Sequence, residues 1–260
     1  MEDKIVKEYQ IKKIIDNKIQ NENDRIIKEQ PLTVFVNGYE LVTLMTLPLN
    51  LKELAVGFIA SENIIDDYDE INSINFSHQD TIVQIEISKD VDINLYKKRT
   101  LTSGCGKGVT FTNLQDCALD EVYNDNFKIN SSVINQLMSE MQKKSDLFLK
   151  TGGTHTAALA DQNSIISVME DIGRHNTIDK LIGYSYQNKI NLKNKMIITS
   201  GRVSSEIIIK VLKQKIPILI SRSAPTSQAV EIAREKNITL VGFTRGNRYN
   251  IYNDLNRIII

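Results

Sequence analysis

Cys105 lies in the run Thr102-Ser103-Gly104-Cys105-Gly106-Lys107-Gly108. Glycines on both sides let the backbone turn sharply and approach a partner closely. Lys107, two residues on, favours the thiolate and so draws the thiol below its free pKa of about 8.5. A thiolate attacks a donor persulfide and then carries the sulfane sulfur itself. The plainer reading is a small cysteine packed in a tight turn, but a glycine-rich loop with a lysine is a poor core environment. The run is not a phosphate-binding P-loop, because Gly108 follows Lys107 where a Ser or Thr is required. Cys117, among Asp116, Ala118 and Leu119, reads as a half-buried packing residue.

Other segments join polar and glycine residues in the pattern of a binding site. In Thr151-Gly152-Gly153-Thr154-His155-Thr156, His155 follows a Gly-Gly turn. It suits an acid–base or ligand-orienting role and equally a hydrogen-bonded turn histidine. A zinc deaminase needs H-x-E here and P-C-x-x-C downstream, and neither exists. In Glu170-Asp171-Ile172-Gly173-Arg174-His175-Asn176, a strand gives way to a helix whose first amides and Arg174 suit an anion. The scaffold alternative has Asp171 capping that helix and Glu170 pairing with Arg174. In Phe243-Thr244-Arg245-Gly246-Asn247-Arg248, two arginines around Gly-Asn suit a phosphate or pyrophosphate. Ser200-Gly201-Arg202 and Ser221-Arg222-Ser223 add hydroxyls and further arginines at neighbouring strand ends.

The elements that must position these groups are legible in the apolar pattern. Leu32–Val36 and Tyr39–Met45 predict a hairpin around Asn37-Gly38. Residues 51–63 predict an amphipathic helix, with Asn50 as N-cap and Glu53 as its capping-box partner. Ile71–Phe76 and Thr81–Ser88 predict strands, and 89–128 predict irregular chain. A helix is expected over about 132–149, strands at His155–Ala160 and Ser164–Glu170, and a helix near 174–187. The last third reads strand Lys195–Thr199, helix Val203–Lys213, strand Ile216–Ile220, helix Ser227–Lys236 and strand Ile238–Phe243. This βαβαβ order predicts a largely parallel sheet covered by helices, with ligands at the carboxyl ends of its strands. Residues 1–30, polar and weakly alternating, predict an edge strand or a loose lead-in. Two domains are expected, an N-terminal α+β part over 1–128 and an α/β domain over 129–260.

Bulk properties narrow the class. The chain has 260 residues, 41% hydrophobic and 25% charged, enough for a substantial core. Lys+Arg and Asp+Glu are both 32, which argues against nucleic-acid or membrane binding through a basic field but leaves room for a local anion site. No stretch has signal-peptide or membrane-span character, so the expected location is the cytoplasm. Two cysteines and three histidines form neither a disulfide scaffold nor a zinc site of usual spacing.

The chain resembles the FdhD family of formate dehydrogenase accessory sulfur carriers over roughly residues 30–252. The resemblance rests on Leu54-Ala55-Val56-Gly57-Phe58 through Ser61-Glu62, and on Thr102-Ser103-Gly104-Cys105-Gly106. It continues in Thr151-Gly152-Gly153-Thr154-His155, Glu170-Asp171-Ile172-Gly173-Arg174-His175-Asn176 and Ser223-Ala224-Pro225-Thr226-Ser227, and ends in Phe243-Thr244-Arg245-Gly246-Asn247-Arg248. It implies a cytidine-deaminase-like three-layer α/β fold without zinc chemistry. It implies that Cys105 receives sulfur as a persulfide from a cysteine desulfurase. The sulfur then passes to the molybdenum or tungsten bis-guanine-dinucleotide cofactor, held as cargo, before insertion into formate dehydrogenase. Phe243, Thr244, Arg245, Gly246, Asn247 and Arg248 match the family's cofactor-binding segment. Asp171, Arg174, His175, Ser200, Arg202 and Ser223 are expected to line the same site, with Lys107 and His155 serving the transfer. A homodimer is implied as well.

One departure bears on mechanism. Many family members carry C-x-x-C in the loop, and Gly108 stands at the second position here. Transfer on a single thiol is expected. Two other functions stay open: a chaperone that holds the cofactor without covalent sulfur chemistry, and, more weakly, a nucleotide-converting enzyme of deaminase ancestry.

Overall fold

The computed structural model describes residues 5–89 and 127–260, and the backbone of 100–101 and 109–110. The chain opens with an antiparallel arm, β1 (Val6–Ile15) and β2 (Lys18–Ile27), turning at Asp16-Asn17, both at positive φ. That is the hairpin turn whose twist suits two flanking strands. The expected edge strand or loose lead-in is thus corrected. Both faces of the arm are largely solvated, so no apolar alternation marks it.

A four-stranded sheet follows, in the order β4-β3-β6-β5. It contains β3 (Gln30–Val36), β4 (Tyr39–Thr46), β5 (Ile71–Ser77) and β6 (Ile82–Ile87). The β3–β4 turn is the expected Asn37-Gly38, at φ 48 and 81. Helix α1 (Leu51–Ser61) lies between β4 and β5 in sequence. Asn50 precedes α1 but does not cap it: its φ is 54, left-handed, and its side chain makes no capping bond. The pairs β7 (Thr100–Leu101) with β8 (Val109–Thr110) and β9 (Ile129–Asn130) with a C-terminal strand are short ladders.

The expected helix over 132–149 is two helices. α2 (Ser131–Lys143) ends at Lys144, and α3 (Asp146–Thr151) starts afresh. The reason is tertiary. The Glu170 carboxylate accepts hydrogen bonds from the amides of Leu147 and Phe148, at 3.0 and 2.8 Å, and so builds a new helix start from a different strand.

The larger sheet runs β11-β10-β12-β13-β14-β15. Its strands and helices are β10 (His155–Ala160), β11 (Ile165–Asp171), α4 (Arg174–Gln187), β12 (Met196–Thr199), α5 (Ser205–Lys213), β13 (Ile218–Ser221), α6 (Ser227–Glu235), β14 (Thr239–Arg245) and β15 (Arg248–Asn253). Finally β16 (Ile258–Ile259) pairs with β9. The sheet is mixed. Only β12, β13 and β14 run parallel; β11, β10 and β15 join antiparallel. The largely parallel expectation holds for the βαβαβ core alone, because hairpins extend the sheet at both edges.

Alternation along these strands sorts the core into two layers. Ala157, Leu159, Ile197, Leu219 and Leu240 face a cluster shared with α1, α4, α5, α6 and the smaller sheet. Ala158, Ala160, Met196, Ile198, Ile218, Ile220 and Val241 face α2. Helices therefore cover both faces. The closest helix contact is α1 on α4, where Gly57 and Gly183 sit backbone to backbone: a Cβ on Gly57 would run into the Asp179 carbonyl, and one on Gly183 into that of Glu53. Among the described residues no helix is long and apolar enough to cross a membrane.

Candidate functional site

The carboxyl ends of β12 and β13, the start of β10 and the helices α2 and α3 enclose a cavity of about 420 Å³. One wall, from α2 and α3, is mainly apolar, with Met141, Phe148 and Leu149 beside Gln142 and Ser145. The other is polar, formed by Thr154, His155, Thr156, Ser200 and Arg222. The Gly-Gly turn shapes the junction. Gly152, at φ 66, ends α3 in the left-handed conformation that glycine adopts without strain.

His155 and Ser200 were expected in the site and line this cavity. Ser200 is fixed by two bonds to Thr156: its Oγ accepts from the Thr156 amide at 2.9 Å, and its own amide donates to the Thr156 carbonyl at 2.9 Å. His155 is half-buried, and burial lowers its pKa from the ordinary 6.5. The positive charges of Arg174, His175 and Arg202 add to the lowering, while Asp171 opposes it. The imidazole is thus neutral at pH 7, within a field set by basic residues.

Arg174 opens α4. Its side chain lies against Gly201, where an added Cβ would come within 2.9 Å of the Arg174 Cβ. Its Nε is buried with no hydrogen-bond partner among the described residues. Arg202 is exposed. Arg222 is joined to the last strand end, because the Arg245 Nε donates to its carbonyl at 3.4 Å. Ser223 links the same strands through backbone: its carbonyl accepts from the Phe243 amide at 3.0 Å.

Phe243–Arg248 flanks the cavity without lining it. Phe243 sits at φ 53, an outlier for a bulky side chain, and the β14–β15 register slips there. This bulge leaves Phe243 37% exposed and buries Thr244, whose Oγ1 has no partner among the described residues. Arg245 and Arg248 then pair across the exposed turn Gly246-Asn247.

Two expected lining residues are not free to line anything. Asp171 is fully buried. Its carboxylate accepts from Thr46 Oγ1 at 2.6 Å, from the amides of Leu47 and Gly173, and from Asn176 Nδ2, and it pairs with Lys180 at 2.6 Å. It ties the entry of α4, through the Gly173 amide and the Asn176 side chain, to β4, a structural role as in the scaffold alternative but without a capping bond to the helix's first turn. The other half of that alternative is corrected, since Glu170 holds α3 and accepts from Thr154 Oγ1 at 2.9 Å. His175 turns toward α5, with its Nε2 2.8 Å from Glu206 and 3.3 Å from Ser204 Oγ. Its described partners therefore lie on α5 and not in the cavity lining.

Cys105 and Lys107, like Cys117, lie outside the described residues. By sequence alone Arg222 has no role beyond its strand end, and Met141, Phe148 and Leu149 have none at a site. Arg222 carried a signal, because Ser221-Arg222-Ser223 is a polar run after an apolar strand. The apolar wall carried none, since α3 owes its start to Glu170.

A family model described as the FdhD/NarQ family matches residues 27–259. The sulfur carrier protein FdhD of Bacillus pumilus is 41% identical over 237 residues, covering 90% of each chain. That of Bacillus subtilis is 38% identical over 260 residues, covering 99% of each. That of Staphylococcus aureus strain MRSA252 is 39% identical over 246 residues, covering 94% of this chain and 93% of the other. The crystal structure of a protein described as a formate dehydrogenase accessory protein from Desulfotalea psychrophila superposes with a TM-score of 0.78 at 22% identity, covering 98% of this chain and all of that one. That likeness bears on the fold.

Proposed function

The chain belongs to the FdhD/NarQ family, and from that premise we propose that it is a cytoplasmic sulfur carrier for formate dehydrogenase, loaded on Cys105. A cysteine desulfurase persulfide is the donor. The Cys105 thiolate attacks its outer sulfur; the donor's sulfur–sulfur bond breaks as the new one forms, and the donor thiolate leaves, so no external redox agent is consumed. The cargo's acceptor is the molybdenum or tungsten bis-guanine-dinucleotide cofactor. We read the mixed sheet with helices on both faces as the cytidine-deaminase-like fold the resemblance implies.

The observation that carries the cofactor half of this reading is the basic cluster at the strand ends. Arg174 and Arg202 act on a neutral histidine as positive charges, Arg222 lines the cavity beside it, and Arg245 donates to the Arg222 carbonyl; of the carboxylates there, Asp171 is paired with Lys180 and Glu170 is held by Thr154 and the first amides of α3. The buried, unpartnered Arg174 Nε supports an anionic ligand there. Phosphates of the dinucleotide fit that chemistry, and the apolar wall with Phe148 suits a flat base. Gly108 is the observation that keeps the non-covalent chaperone in play.

Intact-mass measurement after incubation with a cysteine desulfurase and cysteine separates the two. A gain of one sulfur that disappears in Cys105→Ser is expected; no Cys105-dependent gain would leave the chaperone. GDP binding tests the basic cluster separately. Arg222→Ala and the pair Arg245→Ala, Arg248→Ala should each weaken GDP by roughly tenfold or more, the scale of a lost charge-assisted hydrogen bond. Wild-type affinity in these variants would remove the phosphate site.

A further inference from the structure

Helix α3 is six residues long, too short to hold its shape unaided. Ser145 stands at its N-cap position and does not cap it: the hydroxyl donates back to the Met141 carbonyl at 2.8 Å. The start of α3 is held from β11 instead. Glu170 accepts the Leu147 amide on Oε2 and the Phe148 amide on Oε1, and the same Oε1 accepts from Thr154 Oγ1. Leu147 is the only buried residue of α3, while Phe148 and Leu149 are 42% and 65% exposed. The helix thus gives little to the core and more to the cavity, which Phe148 and Leu149 line. One carboxylate, 8% exposed, therefore holds both sides of the cavity at once: α3 on the apolar side and, on the polar side, Thr154 next to His155.

We propose that Glu170 is a positioning residue that sets the two walls of the cavity against each other, and that the spacing it sets admits the base of a guanine nucleotide. That role rests on the reading of the cavity as the cofactor's nucleotide site. Glu170 touches no ligand in it, since all three donors on its carboxylate belong to the protein. The phosphate half of the site does not depend on this latch. Arg222 follows β13 and Arg245 ends β14. Arg174 opens α4, whose entry is held by Asp171 and Lys180. The Glu170 carbonyl, which accepts from Lys180, is backbone and survives any change of side chain. Releasing α3 and Thr154 should therefore loosen the grip on a base and leave the grip on phosphate.

The test compares GDP with inorganic pyrophosphate on the full chain by calorimetry. Glu170→Gln keeps the shape but loses the charge and one acceptor, so at least one of the three donors then faces an N–H. GDP should weaken about tenfold, the scale of a lost charge-assisted hydrogen bond, while pyrophosphate binds as it does to the wild type. A merely less stable fold would not separate the two ligands. Thr154→Val should shift GDP in the same sense, and Thr154→Ser, which keeps the hydroxyl, should restore it; this pair carries the test if circular dichroism shows that Glu170→Gln does not fold. Amide exchange reads the latch without any ligand. The Leu147 and Phe148 amides should exchange about tenfold faster or more in Glu170→Gln, with Met141 of α2 unchanged. Equal weakening of GDP and pyrophosphate, wild-type GDP binding no tighter than pyrophosphate, or unaltered exchange in α3 would overturn the proposal. Wild-type protein that binds neither ligand would instead overturn the nucleotide reading and the base with it, and the exchange result would decide by itself whether Glu170 holds the walls.

Discussion

The Lys180 ammonium lies 2.6 Å from the Asp171 carboxylate, with both side chains fully enclosed. Lys180 also donates to the Glu170 carbonyl at 3.1 Å. One lysine thus holds the turn between β11 and α4. Burial lowers the Lys180 pKa, and Asp171 works against that lowering. Removing one member of such a pair leaves the other buried and uncompensated, at about 3–5 kcal/mol. Asp171→Ala should therefore cost stability on that scale in urea unfolding. A loss below about 1 kcal/mol, the scale of an exposed ion pair, with weakened GDP binding would return Asp171 to a ligand-contacting role.

The α1–α4 crossing makes a second prediction. Gly57 and Gly183 face each other's helix backbone, and neither side has a flexible side chain to move aside. The crossing also carries buried charge: Asp179 accepts from Ser61 Oγ at 2.8 Å and from Lys210 Nζ at 2.7 Å. Burial alone would lower the Lys210 pKa, but Asp179, Glu62 and Glu206 together raise it. Prying the helices apart would strain that network as well as the packing. Gly57→Ala or Gly183→Ala should cost about 1–3 kcal/mol or more, the overpacking range, read as a lower urea midpoint. Unchanged midpoints would mean that the crossing is looser than its geometry.

What the sequence disclosed follows from where apolar pattern carries information. The β3–β4 turn was legible because Asn37-Gly38 has few alternatives to a hairpin. The βαβαβ core was legible because its strands alternate between two covered faces. The arm was not, because nothing covers it and its composition resembles a loop. The break between α2 and α3 was not, because its cause is Glu170, some two dozen residues away. At the site, Ser200 and the arginines were legible as polar runs after strands, and His155 as a histidine after a Gly-Gly turn. Asp171 was legible as important and misread in role, since type and spacing alone do not separate a carboxylate that meets a ligand from one that meets Lys180.

His155 offers the pH-dependent prediction. Its imidazole is held below 6.5 first by burial, then by the charges of Arg174, His175 and Arg202. The unfolded chain therefore takes up this proton before the fold does. Stability contributed by the neutral ring is present above 6.5 and is lost as the pH falls from there through the lowered folded value. An anion held among the arginines would offset their charge and draw the pKa back up. NMR titration of the ring should accordingly give an apparent pKa below 6.5 in the free protein, and a higher one with saturating GDP. A free-protein ring titrating at or above 6.5 would contradict the burial and charge that enclose it. A ring indifferent to GDP would place the anion away from the cavity between β10, β12 and β13.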